Sequence, residues 1–203
     1  NWEDYFAPEA LENFEAEHGI RVVLETFGSE EEMLAGIQSR PGGYDVVVAS
    51  GSMVETLVRL KLLSALNLDD IPNFVNIQDS FRGPPFDTQN RYSVPYLWGT
   101  TGLAINTKYV PVDASTWEVL WGPAYKGRLA MLNDPQEVLG AALLALGYNL
   151  NARDPEPLER ARQKLLAQRP LLAGYLDPMS LIEGLVSEEI WAAQLYSGDA
   201  MAA

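Results

Sequence analysis

Cysteine is absent from the 203 residues. That excludes disulfides, thiolate metal sites and cysteine nucleophiles together. It suits an oxidising compartment, although many cytosolic chains also lack cysteine. Histidine occurs once, as His18, so an imidazole-based zinc site or catalytic triad has too few parts. Neither G-x-G-x-x-G nor a P-loop is present, and no serine stands in a G-x-S-x-G elbow. No apolar run approaches the roughly 20 residues that cross a bilayer. Basic residues are also scarce. Fourteen Lys and Arg face 28 Asp and Glu, a formal charge of −14, which repels nucleic acid and anionic membrane and favours cationic ligands. These absences predict no cofactor and no metal, and a binder rather than an enzyme.

What remains is ordinary for a folded chain: 47% apolar and 21% charged residues, enough for one large or two small cores. The acids gather early. Ten of them precede Met33, against Arg21 alone. They fit either solvated helix faces or a field that draws a cation toward a nearby mouth.

Pro8 to His18 reads as a helix with proline in its first turn and Gly19 as its stop. Arg21 to Thr26 (RVVLET) reads as a strand, and Ser29 as the cap of a second helix beginning with three glutamates. Tyr44 to Ala49 (YDVVVA) has the continuous apolar character of a strand covered on both faces. Ser50-Gly51-Ser52 leads into a third helix, Met53 to Leu63. Residues 67–91, rich in Pro, Asn and Asp, form an irregular connection.

A second alternation follows YSVPYLWGTTGLAIN. It runs as a helix over Ser115 to Trp121, a strand over Arg128 to Leu132, and helices over Pro135 to Leu146 and Glu156 to Gln168. An extended LLAGY piece, a helix from about Pro178, a strand near Ile190 to Tyr196 and a helix start at Ser197 complete it. Such alternation with short connections implies parallel sheets wound with helices, whose ligands bind beyond the carboxyl ends of the strands. Two α/β lobes are expected, 1–100 and 107–203, joined by a crossover at 101–106.

Two features could carry ligand chemistry. In LNDPQEV, Asp134 and Glu137 fit a capping box around Pro135. Equally, Glu137 could point into a cleft and pair with an ammonium group, its ionised form favoured by the helix dipole. An acid/base enzyme built on this pair is a third reading, without any nucleophile or metal motif beside it. The aromatics Trp2, Tyr5, Tyr96, Trp98 and Tyr196 fit either core or a surface for an organic cation.

Six segments, in order, resemble the periplasmic spermidine/putrescine-binding proteins of ABC transporters: NWEDY, YDVVVASGSMV, YSVPYLWGTTGLAIN, TWEVLWGPAYKGRL, LNDPQEV and LYSGDAMAA. The resemblance implies the bilobal α/β periplasmic-binding-protein fold of type II, which takes a linear polyamine, putrescine or spermidine, in its cleft. It also implies delivery to a membrane permease, and a periplasmic or membrane-anchored extracellular location. Binding of another small solute is the alternative within the class.

Carried over, Trp2, Tyr5, Ser50, Ser52, Glu137 and Tyr196 become ligand residues. Asp134, Asp4 and Trp98 are further contributors. Ser52 stands where some members have tyrosine, and Tyr196 where tryptophan is common. Against that pattern the chain reads as truncated at both ends. The resemblance then implies weak or no polyamine affinity for these residues alone, and unpaired sheet edges would promote self-association.

Overall fold

In the computed structural model, which describes residues 1–2, 5–113 and 116–201, helix ends fall where side chains can satisfy them. Helix α1 spans Pro8–His18 and stops at Gly19, whose left-handed φ of 65° lets its N–H close onto the Glu15 carbonyl. Helix α2, Glu30–Ser39, is capped by the Ser29 hydroxyl, which accepts from the Glu32 N–H. Helix α3, Gly51–Arg59, is capped likewise by Ser50. It begins two residues earlier than its apolar pattern suggests and ends before Leu63, and Lys61 takes a left-handed φ of 58° just beyond it.

The chain divides into two compact units, Asn1–Trp98 and Gly99–Ala203. In the first, Met33, Met53 and Leu57 form the buried core, with Phe27, Leu34, Ile37, Val47 and Ala49 packed around it. The expected strands over Arg21 to Thr26 and Tyr44 to Ala49 do not form a ladder among the described residues. The pairing found there is a single bridge between Trp2 and Phe27. Apolar β-branched composition marks a segment fit for a sheet, but a strand exists only with a hydrogen-bonded neighbour. Val23 and Val46 accordingly stand 73% and 82% exposed.

The irregular stretch is as expected, a chain of short 3-10 turns. Its last part is organised by Asp87, which is buried and accepts hydrogen bonds from the N–H groups of Arg91, Tyr92 and Ser93 and from the Ser93 hydroxyl, all at 2.8 to 2.9 Å. Burial alone would push this carboxyl up. The hydrogen bonds outweigh it and hold the group below the ordinary aspartate range.

The second unit has a four-stranded sheet. Its strands are β1 (Thr101–Ile105), β2 (Leu129–Leu132), β3 (Leu172–Leu176) and β4 (Ala192–Tyr196), in the order β1-β4-β2-β3. Strands β2, β3 and β4 run parallel, and β1 pairs antiparallel with β4. Residues expected as a crossover thus form an edge strand of this sheet. The intervening helices are α4 (Pro135–Ala145), α5 (Pro155–Gln168), α6 (Pro178–Val186) and the short α7 (Ser197–Ala200). Of the helix expected from Ser115, the described part is a 3-10 turn over Trp117–Trp121, which carries Trp, Val and Leu inward.

Side chains alternate across the strands. Leu129, Met131 and Ala192 pack with Val138 and Ala141 of α4, while Ala130, Leu132, Ala193 and Leu195 pack with Leu181 of α6. Helices cover both faces, which is why β2 is buried at every position. The register sets one end of this sheet apart. Because β1 is antiparallel, Thr101 lies opposite Tyr196, so the start of β1 meets the carboxyl ends of β2 and β4.

Candidate functional site

That end of the second unit is where the sequence changes from apolar to polar. Strand β2 runs out into Asn133 and Asp134, and β4 into Tyr196 and Ser197. Asp134 is the cap of α4. Its Oδ1 accepts from the N–H groups of Gln136 and Glu137 at 2.9 and 3.1 Å, with Pro135 at the first helical position. Its Oδ2 lies 3.4 Å from the Tyr196 hydroxyl, which donates a long hydrogen bond to it. Three of the residues expected from sequence, Asp134, Glu137 and Tyr196, therefore come together.

The two acids of LNDPQEV part here, Asp134 capping its own helix and Glu137 turning toward β1. The Glu137 carboxylate accepts a hydrogen bond from Thr101 of β1. Half-buried, it is pushed above the ordinary glutamate range, first by loss of water, with the negative charge of Asp134 adding to the effect and the Thr101 bond opposing it. The helix dipole favours the ionised form of this acid, and burial works against it. Asp199 in α7 is likewise pushed up by burial. Among the described residues no Lys or Arg pairs with Asp134, Glu137 or Asp199. A protonated amine placed here would regain for Glu137 what burial removed.

Two residues at this edge escaped the sequence reading. Thr101 is the Glu137 partner just described. Gln194, the one polar residue in the middle of AAQLY, is 1% exposed and donates its Nε2–H to the Glu137 main-chain carbonyl at 2.8 Å. A lone amide in an otherwise apolar strand was the available signal.

The first unit holds the other expected residues. Trp2 packs edge-on against Phe27, ring centroids 4.7 Å apart. Tyr5 is exposed, and its main-chain carbonyl accepts from the Tyr96 hydroxyl at 2.8 Å, while the Tyr96 ring leans on Phe6. Trp98 is 73% exposed, with its ring 5.6 Å from Phe81. Asp4 lies outside the described residues.

Ser50 and Ser52, both exposed, have their hydroxyls 2.9 Å apart at the start of α3. Between them Gly51 is obligatory in space, since a Cβ there would meet the Phe86 ring at 2.3 Å. A shallow depression of about 370 Å³ opens beside Ser52, lined by Gly51, Ser52, Glu55, Pro85 and Phe86. Glu55 adds a carboxylate that sequence reading did not single out. No group of three or more His, Cys, Asp or Glu able to hold a metal occurs among the described residues, and no described helix is long and apolar enough to cross a membrane.

Comparison with known proteins extends these observations. Residues 9–203 match the family described as bacterial extracellular solute-binding protein. The chain is 35% identical over 206 residues to a putrescine/cadaverine-binding protein of Pseudomonas aeruginosa, covering 98% of this chain and 58% of that one. It is 36% identical over 177 residues to the spermidine/putrescine-binding periplasmic protein of Escherichia coli, covering 86% and 51%. Among solved structures it resembles the spermidine/putrescine ABC transporter substrate-binding protein PotD of Streptococcus pneumoniae. There the TM-score is 0.79 and the identity 34%, over 98% of this chain and 62% of that one. The chain thus spans somewhat more than half the length of these relatives. It is a member of the bacterial extracellular solute-binding protein family and carries that family's α/β fold.

Proposed function

We propose that this protein is the solute-binding component of an ABC importer and that it takes a linear polyamine, putrescine or spermidine. The observation that carries the reading is Glu137, a half-buried carboxylate at the carboxyl ends of the parallel strands β2 and β4. It is raised in proton affinity, it is bonded to Thr101, and among the described residues no Lys or Arg pairs with it. An ammonium group supplies the missing charge and three N–H donors. Asp134, held by its cap bonds, adds a second fixed negative charge, and Tyr196 a ring for the methylene chain or the cation. The names borne by the relatives, for putrescine, cadaverine and spermidine, support the same ligand class.

Trp2, Tyr5, Ser50, Ser52, Trp98 and Asp4 are proposed as ligand residues on the strength of the family resemblance. The lobe division at 1–100 and 107–203, with 101–106 as hinge, is proposed on the same ground. The relatives' names support an ABC permease as partner and a periplasmic or membrane-anchored extracellular location. A catalytic use of Asp134 and Glu137 is disfavoured, because Asp134 commits Oδ1 to two helix N–H groups.

Titration with putrescine, spermidine and 1,4-butanediol, followed by calorimetry and by NMR shifts of Glu137 and Tyr196, tests the reading. Saturable shifts with both amines and none with the uncharged diol are expected. No saturable response to either amine would overturn it.

A further inference from the structure

The hydrogen bond from Gln194 is hard to explain as a contribution to stability. Gln194 lies in β4 between Ala193 and Leu195, alternates onto the same side of the strand as Ala192, and is 1% exposed. Its Nε2–H reaches the Glu137 carbonyl, yet its Oε1 is buried with no hydrogen-bond partner. A buried carbonyl without a donor is costly, and an apolar side chain of similar volume would avoid that cost while packing against Val138 and Ala141. What an apolar residue could not do is tie β4 to the first turn of α4.

We infer that Gln194 is a positioning residue for Glu137. It fixes the main chain of that acid to the sheet while Thr101, from the neighbouring strand, fixes the carboxylate. The acid is thus held from two adjacent strands, Leu103 pairing with Gln194 and Thr101 with Tyr196. A ligand carboxylate needs to be fixed closely if it is to choose between amines of different spacing. The inference rests on the polyamine reading for its consequence in binding, but its structural core stands on these contacts alone.

The same construction occurs once more in the second unit, away from the acids. Gln168 is fully buried, donates Nε2–H to the Leu120 carbonyl at 2.8 Å, and leaves Oε1 unpartnered. It pins α5 to the 3-10 turn that carries Leu120 and serves as an internal control.

The experiment compares Gln194→Met, Gln194→Asn and Gln168→Met with the parent. Three quantities are read: resistance to denaturant, the NMR titration of the Glu137 side-chain carboxyl, assigned with Glu137→Gln, and putrescine affinity. Asp134 from the α4 cap, Tyr196 from β4 and Asp199 from α7 are ionisable groups at the same edge, so the Glu137 signal is followed by itself.

Gln194→Met is expected to fold at least as stably as the parent. Its Glu137 should titrate closer to ordinary glutamate, and putrescine should bind about tenfold more weakly, the lower end of what supporting residues contribute at bound-ligand sites. Gln194→Asn, too short to reach the carbonyl, should behave the same way and decides the matter if the Met variant fails to fold. Gln168→Met should leave both the titration and the affinity at parent values. A Glu137 that titrates as in the parent in the Gln194 variants overturns the inference. A parent that binds no polyamine overturns the functional reading instead, and the titration still decides the role of Gln194.

Discussion

The two units have similar sequence grammar and different outcomes. Both alternate helices with short apolar stretches, yet in the second those stretches pair into a four-stranded sheet covered by helices. In the first they pair only at the Trp2–Phe27 bridge among the described residues. The second unit consequently buries two side-chain layers, one on each sheet face, whereas the first centres on Met33, Met53 and Leu57 and leaves Val23 and Val46 in water. The contrast shows that composition sets the capacity for a strand and pairing sets the strand.

Substitutions at four positions sharpen or break that contrast. The largest effect belongs to the sheet of the second unit. Leu132→Ala removes a side chain 1% exposed between β2 and α6 and should cost about 2–5 kcal/mol in chemical denaturation. A loss below 1 kcal/mol would mean that this core is looser than its burial implies.

Next comes the buried acid of the first unit. Asp87→Ala strands the N–H groups of Arg91, Tyr92 and Ser93 and should cost about 1–3 kcal/mol. The folded Asp87 carboxyl sits below its unfolded value, so its contribution is complete above the ordinary aspartate range and is lost as pH falls through the folded pKa. Acid unfolding of the parent should therefore show a pH-dependent loss that the Ala variant lacks.

Smaller still is the α4 cap. Asp134→Ala should lower stability by about 1 kcal/mol, while Asp134→Asn, an equally good cap, should leave stability unchanged and weaken polyamine binding through lost charge alone. If the two variants lose stability equally, the cap bonds contribute nothing. The smallest effect is expected at Val46→Thr, within about 0.5 kcal/mol of the parent, since the residue is 82% exposed. A large loss there would reveal that Val46 is covered in solution.

Much of the fold was legible in sequence because helix ends are local. Ser29, Ser50, Asp134 and Asp177 each accept from an N–H two or three residues ahead, and Gly19 and Gly147 take the left-handed conformation their stop positions require. Strands β2, β3 and β4 of the second unit were also legible, as their apolar runs find partners, whereas β1 read as a crossover. RVVLET and YDVVVA misled because pairing is a property of distant residues.

At the site, LNDPQEV announced Asp134 and Glu137, but not the division of labour between them. Asp134 turns back to its own helix, while Glu137 turns to Thr101, a residue more than 30 positions away in sequence. The raised proton affinity of Glu137 was illegible for the same reason, since burial is decided by what packs around it. Gln194 was visible only as an odd polar letter in a buried strand.

The central claim is that Glu137 is a half-buried carboxylate waiting for a cation. NMR titration of its carboxyl with and without saturating putrescine tests this most directly. In the free protein the pKa should lie above that of ordinary glutamate, and putrescine should lower it, because a bound ammonium favours the ionised form. By linkage, affinity should then fall as pH drops through the free-state value. A pKa that putrescine leaves in place, or raises, would contradict the account.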